Sequence, residues 1–273
     1  MAANNNSFEH DGHILTWQEF GEGEHLFILL PGWSSVNTMW SDTIAALLPF
    51  GRCVTLDLPG HYPANVPTQY DCLPLEEFID LMTRAVQHIS QGKQITLIGH
   101  STGGLASLGI AERLPNQVRR VVFICGVVSG KLTGVLGLAQ RLLRANLYPV
   151  FWSAWRLTQL SLVTQMLGMM FYVHRWSAHW RNQSAWQVAR DTRGLFQNHN
   201  LYQISVLLRM LETYNISAVS SRLTMPTSAC PGDSEPSTSW PSALSLTRAM
   251  KSRTTGRATS ASSRAMRTSR SIS

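Results

Sequence analysis

A serine lies between two glycines in the segment Gly99-His100-Ser101-Thr102-Gly103, a spacing that can expose a hydroxyl for chemistry. The segment follows an apolar run and precedes a helical pattern. The glycines permit a tight turn from strand to helix, and the amides of a helix N-terminus favour a developing negative charge. A serine in such a turn can attack a carbonyl carbon and form an acyl-enzyme. We therefore predict that Ser101 is a nucleophile; an ordinary glycine-rich turn is the alternative.

The elements that must position this serine are read from the apolar pattern of the first half of the chain. Short apolar runs closed by Gly or Pro recur at residues 25–30, 53–58, 94–98 and 121–125. Runs of this kind are typical of strands buried on both faces of a parallel sheet. Helical patterns alternate with them, so the sequence predicts an α/β fold with a mainly parallel, doubly wound sheet. Residues 14–20 alternate more loosely and predict an antiparallel edge strand.

The net charge of +7 is distributed unevenly and divides the chain. Residues 1–127 carry 6 Lys/Arg and 12 Asp/Glu, whereas residues 128–208 carry 8 and 1. We predict a first part of the core over 1–127, a helical lid over 128–208 and a return to the core over 209–227. Residues 228–273 contain 13 Ser and 6 Thr. They cannot bury enough apolar surface to offset their ordering entropy, and we predict a disordered tail.

Composition also excludes several classes of function. An acidic body with a basic insert is not the pattern of a nucleic-acid-binding domain, and no nucleic-acid motif is present. Residues 1–11 lack the apolar region of a signal peptide, and the uncharged stretch 157–173 is too short and polar for a membrane span. The four cysteines form no CxxC pair and no metal-ligand spacing. We therefore predict a cytoplasmic protein without a cofactor or a metal.

Three segments together resemble the α/β-hydrolase family of serine esterases, lipases and acyl hydrolases. The first is LLPGW at residues 29–33, which is similar to the family's loop after strand three, with proline in place of histidine. The second is DLPGHY at residues 57–62, in which Tyr62 replaces the family's glycine. The third is GHSTGG at residues 99–104, which matches the family's nucleophile elbow. The resemblance implies a mainly parallel eight-stranded sheet with a helical lid inserted after strand six.

The resemblance also implies roles for individual residues. The backbone amides of Trp33 and Thr102 would form the oxyanion hole around the Ser101 reaction. The family's acid follows strand seven in a P-T-x4-G-D-x-D-P segment, and Pro226-Thr227 places Glu235 in that register. Residues 228–231 (SACP) stand where the family has a buried apolar strand, so the C-terminal strands are predicted to be degenerate or missing. A polar loop around Glu235 is the alternative.

The family's histidine, which follows the acid, has no counterpart here. The last histidine of the printed sequence is His199. His61 and His100 are interpreted as structural, because neighbours at a sharp turn point in different directions and His61 falls in a loop. His174, His179 and His199 fall in the predicted lid, where surface or pocket roles are expected. The sequence therefore predicts a nucleophile and an oxyanion hole without their base, and an inactive chain is one reading.

Two accounts of the C-terminal segment stay open. In one, a reading-frame shift near Thr227 or Ser228 replaced the original sequence. In the other, the chain is a pseudoenzyme or binding module that holds a ligand or partner under its lid. Under both accounts the strand at 121–125 is expected to form a bare sheet edge, which predicts poor solubility.

The composition of the lid indicates the class of substrate. Its aromatic and methionine side chains give an adaptable apolar surface and favour an apolar acyl ester, although they could merely hold the lid together. They are Trp152, Trp155, Trp176, Trp180, Trp186, Met166, Met169 and Met170. Its arginines could dock an acidic acyl-carrier protein, which would favour a thioesterase, or an anionic membrane surface; a solvated basic face is the alternative. They are Arg141, Arg144, Arg156, Arg175, Arg181, Arg190 and Arg193.

Overall fold

The computed structural model describes residues 4–35, 37–67, 73–127, 130–158, 199–212, 214 and 227–230. The described strands are β1 (Asn4–His10), β2 (His13–Phe20), β3 (Leu26–Leu30), β4 (Arg52–Leu56), β5 (Ile95–His100), β6 (Val118–Ile124) and β7 (Thr227–Cys230). The described α-helices are α1 (Ser41–Leu47), α2 (Leu75–Ser90), α3 (Thr102–Arg113), α4 (Gly134–Arg144), α5 (Tyr148–Thr158) and α6 (Leu201–Leu211). Short 3-10 helices at Asn37–Trp40 and Leu48–Phe50 flank α1.

The described strands form one sheet in the order β1-β2-β4-β3-β5-β6-β7. Strands β4, β3, β5, β6 and β7 pair in parallel, whereas β2 is antiparallel to both of its neighbours. The predicted α/β class and mainly parallel sheet are confirmed. The strand expected at 14–20 is antiparallel as predicted, but its assignment to the edge is wrong. Asn4–His10 pairs along its outer side and forms the edge instead.

Both faces of the sheet are covered, because alternate side chains of its central strand enter different cores. Every residue of β3 is buried. Ile28 and Leu30 join the cluster that includes the apolar residues of α2 and α3. Phe27 and Leu29 pack on the opposite side with Ile44 of α1. A strand buried on both faces must be apolar throughout, which explains the unbroken run LFILL.

The far edge of the sheet differs from the sequence expectation. Strand β7 pairs in parallel with β6, with Val121 opposite Thr227 and Ile124 opposite Cys230. The prediction of a bare edge at 121–125 is therefore wrong over Val121–Ile124, and the solubility argument built on it loses its basis there. A segment without large apolar residues can take this place because backbone groups, not side chains, make the ladder of hydrogen bonds. Residues 231–273, with Glu235, lie outside the described residues.

Helices follow β6, as the sequence predicted for this region. Helices α4 and α5 cover residues 134–158, and α6 comes shortly before the chain reaches β7. Residues 159–198, with most of the predicted lid tryptophans, methionines and arginines, lie outside the described part of the chain. Among the helices described, none has the length and apolar character that crossing a membrane requires.

Candidate active site

Ser101 occupies the single residue between β5 and α3 and has an uncommon backbone conformation. Its φ is 51° and its ψ is −116°. For a residue other than glycine, such a positive φ is strained and persists only where the surrounding contacts fix it. Those contacts come from the adjacent strand end: the Ser101 amide donates to the carbonyl of Ile124 (3.0 Å), and the Val127 amide donates to the Ser101 carbonyl (3.3 Å). The turn therefore holds this serine at the carboxyl edge of the sheet.

Two glycines allow the backbone segments around Ser101 to approach one another. A Cβ on Gly103 would stand 2.1 Å from the carbonyl oxygen of Leu30, so the first turn of α3 touches the end of β3. A Cβ on Gly32 would stand 3.0 Å from Cβ of Ser101 and 2.8 Å from Nδ1 of His100. The loop that follows β3 therefore lies directly against the serine. This closeness is the geometric condition that the predicted oxyanion hole requires.

The two backbone amides predicted as oxyanion donors are available for an acceptor. Within the described part of the chain, neither the amide of Trp33 nor that of Thr102 donates a hydrogen bond. Thr102 is the first residue of α3, where amides have no partner within the helix. Trp33 follows Gly32, which contacts Ser101. The arrangement places two unused donors on the segments that flank the serine.

The indole of Trp33 fixes the helices that follow β6 to this loop. Its Nε1 donates a 2.7 Å hydrogen bond to the carbonyl of Ile204 in α6. Its ring meets that of Trp155 in α5 edge-on, with centroids 6.0 Å apart. Edge-to-face aromatic pairs of this kind stabilise a contact beyond the area that they bury. The Trp33 side chain therefore has a packing role, while its backbone amide has no acceptor among the described residues.

His61 is buried and supports the same loop. Its Nε2 accepts a 2.9 Å hydrogen bond from the amide of Ser34, and its Nδ1 lies 3.1 Å from the carbonyl of Pro59. These partners require a neutral ring with its proton on Nδ1, because an amide needs an acceptor and a carbonyl needs a donor. Burial, with a smaller contribution from His199, lowers the pKa of His61 to about 3. The structural interpretation of His61 fits this geometry.

His199 joins α6 to the segment after β4. Its Nδ1 accepts a 3.0 Å hydrogen bond from the amide of Tyr62, and its ring lies 5.4 Å from that of His61. Only 5% of the residue is exposed, so of the two expected roles, surface or pocket, the surface role does not hold for His199. The reason is the return of the chain onto the loop after β4, a contact that spans 137 residues. Burial lowers the pKa of His199 to about 4.

Asp57 is a buried carboxyl that sequence reasoning did not single out. It accepts hydrogen bonds from Thr16 Oγ1 (2.8 Å) and Asn37 Nδ2 (2.7 Å). Burial raises its pKa to about 7, although both hydrogen bonds act in the opposite direction. Its position directly after β4, at the carboxyl edge of a parallel sheet, is the signal that could have identified it. Asp57 and His61 together tie the loop after β3 to the segment after β4.

None of the described histidines is placed as a base for Ser101. The Ser101 hydroxyl makes no hydrogen bond to another described residue. Both ring nitrogens of His61 are engaged, and burial lowers the pKa of His100 to about 4. His174, His179 and Glu235 lie outside the described residues. Within the described ranges, no group of three or more His, Cys, Asp or Glu could hold a metal ion.

A family model and solved structures match most of the chain. The model described as "Alpha/beta hydrolase family" matches residues 27–257. A hydrolase from Pseudomonas aeruginosa has a similar structure, with a TM-score of 0.67 at 17% identity, over 88% of this chain and 84% of that one. At that identity the similarity concerns the fold alone.

Curated relatives match the chain over a shorter region. A pimeloyl-[acyl-carrier protein] methyl ester esterase of Vibrio campbellii is 30% identical over 110 residues, which are 40% of each protein. A protein of Oryza sativa subsp. japonica named probable esterase PIR7A is 32% identical over 118 residues, 41% of this chain and 43% of that protein. The matched part of the chain thus spans about 40% of the length of these relatives.

Proposed function

Because the chain belongs to the alpha/beta hydrolase family, we propose that it is a carboxylic ester hydrolase with Ser101 as its nucleophile. The observation that carries this proposal is the contact between the loop after β3 and the serine. Gly32 lies so close to Ser101 that a Cβ on the glycine would stand 3.0 Å from the serine Cβ. Esterases among the relatives support an acyl ester as the class of substrate.

The proposed reaction proceeds through an acyl-enzyme. The Ser101 hydroxyl attacks the ester carbonyl carbon, and the resulting oxyanion accepts hydrogen bonds from the amides of Trp33 and Thr102. Collapse of this intermediate breaks the bond to the alcohol oxygen, which takes up a proton in exchange for the one lost by the Ser101 hydroxyl, and leaves the acyl group on Ser101. Water then attacks the acyl carbon, the acid is released, and a proton returns to the Ser101 oxygen. Loss of one oxyanion donor lowers the rate of such reactions by roughly 10²–10³.

Removal of the proton from the Ser101 hydroxyl is the difficult step for this chain. Residues 200–273 contain no histidine, and Glu235 is the proposed acid on the register of its segment alone. In a well-studied serine protease, removal of the base lowers turnover by about 10⁶. We therefore expect slow hydrolysis that still depends on Ser101.

Aromatic side chains beside the site favour an ester with an apolar acyl or alcohol group. Trp155 of α5 packs against the ring of Trp33, whose backbone amide is one of the two proposed oxyanion donors. Trp152 on the same helix is 45% exposed. Aromatic side chains offer large apolar contact areas to such groups.

A chemical rescue experiment tests the proposal on the full chain. Hydrolysis of p-nitrophenyl butyrate is measured for the wild type, Ser101→Ala and the matched control Ser153→Ala, with and without imidazole. Ser153 lies on α5, where its hydroxyl bonds only the carbonyl of Pro149 among described partners. We expect imidazole to accelerate the wild type and the control above the reaction in buffer, because it can replace the missing base.

The outcome for Ser101→Ala decides between the alternatives. It should show only the imidazole reaction of the buffer. Equal rates for Ser101→Ala and the wild type, with imidazole present, would overturn the proposal and favour the non-catalytic binding module.

A second candidate is an ester or thioester carried by an acidic acyl-carrier protein. Residues 130–158 contain four Lys/Arg and no Asp/Glu. Arg141 on α4 and Arg156 on α5 are exposed, and Arg156 lies over the ring of Trp152 at 4.8 Å. The relative from Vibrio campbellii is named for an acyl-carrier-protein ester. Basic surfaces speed association with acidic partners in a manner that salt suppresses.

Charge reversal tests this candidate independently of catalysis. Binding of an acyl-carrier protein is measured at low and high salt for Arg141→Glu with Arg156→Glu, with Arg84→Glu on α2 as the control. Weaker binding for the α4–α5 variant alone would support the candidate. Binding of the wild type to anionic phospholipid vesicles but not to the carrier would favour a membrane surface instead.

A further inference from the structure

A cavity of about 330 Å³ lies between α2 and α3, away from the turn at Ser101. Tyr214, three residues beyond the end of α6, closes it. The residues of α3 that line it run from Leu105 to Arg113, so the cavity begins about one helical turn from the serine and extends for about two more. The lining residues are Leu75, Glu76, Ile79, Leu105, Gly109, Glu112, Arg113 and Tyr214.

Two hydrogen-bond donors in the wall of this cavity have no acceptor in the described part of the chain. The hydroxyl of Tyr214 is buried without a partner, and the whole residue is only 4% exposed. Nη1 of Arg113 is also buried without a partner. Burial raises the pKa of Tyr214 to about 12, so its hydroxyl keeps its proton. Because buried donors are costly to leave unsatisfied, this pair indicates an acceptor that is not among the described residues.

The remaining side chains of the wall restrict the charge of that acceptor. Nη2 of Arg113 already forms a 2.6 Å ion pair with Glu76, so the guanidinium carries little unbalanced charge. Glu112 adds a second carboxyl to the lining. An anionic ligand would meet two carboxylates and one paired cation, which disfavours it. Leu75, Ile79 and Leu105 complete an apolar wall.

We propose that this cavity binds a small neutral molecule with a compact apolar body and a carbonyl oxygen. The carbonyl oxygen accepts hydrogen bonds from the Tyr214 hydroxyl and from Nη1 of Arg113, and the apolar body contacts Leu75, Ile79 and Leu105. Small-molecule sites commonly combine apolar side chains with polar groups that fix the orientation of the ligand, and both kinds line this cavity. The site uses neither Ser101 nor the oxyanion loop, so it does not depend on the proposed esterase activity.

Three probes of one size separate the contributions of the carbonyl and of charge. Acetophenone offers a carbonyl oxygen, toluene offers none, and benzoate is anionic. Binding to the full chain is measured by protein-observed NMR titration. We expect acetophenone to bind at least several-fold more tightly than toluene or benzoate, since each satisfied hydrogen bond to a buried donor strengthens binding.

Removal of one oxygen atom tests whether acetophenone binds in this cavity. Tyr214→Phe removes the hydroxyl alone and should weaken acetophenone binding by about tenfold while leaving toluene unchanged. Tyr62→Phe is the matched control, because Tyr62 is 51% exposed and lies outside the lining. Leu75→Trp, which fills the cavity from the start of α2, should block both neutral probes.

Three results would overturn the proposal. One is equal binding of acetophenone and toluene. Another is acetophenone binding that survives both Tyr214→Phe and Leu75→Trp. The third is no binding of acetophenone up to its solubility limit, which would mean that the cavity holds water only.

Discussion

The backbone amide of Ser34 donates a 2.9 Å hydrogen bond to Nε2 of His61, and this bond joins the loops that follow β3 and β4. Ser34 has a φ of 55° and lies in a turn closed by a hydrogen bond from the Ser35 amide to the carbonyl of Gly32. Gly32 in turn packs against Ser101. His61 therefore supports, through three contacts, the backbone that faces the proposed nucleophile.

His61→Ala should lower the free energy of unfolding by about 2–4 kcal/mol, since it leaves the Ser34 amide without its acceptor and opens a cavity. Urea unfolding followed by tryptophan fluorescence measures the change. His10→Ala on the edge strand is the control, and it should stay within about 0.5 kcal/mol of the wild type. Similar losses for the two variants would mean that the His61 contacts add no stability.

The turn at Ser101 could be predicted from sequence because its determinants are local. Gly99 and Gly103 lie within two residues of the serine, and the strand and helix that flank it are visible as apolar patterns. The mainly parallel sheet followed from the same signals. The residues that determine such a turn lie close together along the chain, so one sequence is enough to predict it.

The supports of the loop after β3 could not be predicted in the same way. His61 and His199 are separated by 138 positions, and only the return of α6 brings their rings together. Asp57 is buried, and its two hydrogen-bond donors, Thr16 and Asn37, come from two other segments. Strand β7 was missed for a related reason: its four residues include no large apolar side chain, and only β6 supplies their partner. Contacts made at long range leave no periodicity in the sequence.

Acid should destabilise this fold over a defined range of pH. Burial lowers the folded-state pKa of His61 to about 3 and those of His100 and His199 to about 4, below the ordinary value of 6.5. Between these values the unfolded chain binds protons that the folded chain excludes. The stability is therefore present above pH 6.5 and is lost as the pH falls toward 4.

Asp57 has the opposite effect, because its carboxyl binds a proton more readily in the folded chain than in the unfolded chain. Its single proton therefore offsets part of the effect of the three histidines. The net slope near pH 5 should be roughly 2–3 kcal/mol per pH unit. Urea unfolding at half-unit intervals between pH 4 and 7.5 measures it. A free energy of unfolding that stays constant across this range would show that the three rings are protonated in the folded protein.

Replacement of Asp57 by the neutral residue asparagine should change how the stability of the fold depends on pH. Its folded-state pKa is raised from 3.8 to about 7, so its contribution to stability is complete below pH 3.8 and is lost as the pH rises through 7. Asp57→Asn cannot ionise. As the pH rises from 4 to 8, the free energy of unfolding of Asp57→Asn should therefore increase relative to that of the wild type by an amount on the order of 4 kcal/mol.

Paired unfolding curves at the two pH values measure this gain. Asp42→Asn on α1 is the control, because Asp42 is exposed in the first turn of its helix. A constant difference between Asp57→Asn and the wild type at all pH values would contradict the raised pKa.

Gly103→Ala should disrupt the fold, since the new Cβ would stand 2.1 Å from the carbonyl oxygen of Leu30 and 2.5 Å from that of Pro31. Both atoms belong to backbone, so neither can move as the end of a flexible side chain could. Gly134→Ala is the control: its Cβ would meet nothing within 4 Å, and its φ of +62° costs only about 1–2 kcal/mol. Thermal unfolding should show a modest loss for Gly134→Ala and a much larger loss, or failure to fold, for Gly103→Ala. Equal melting temperatures for the two variants would mean that α3 can move away from β3 without cost, and the close contact that places Ser101 beside Gly32 would not be required for folding.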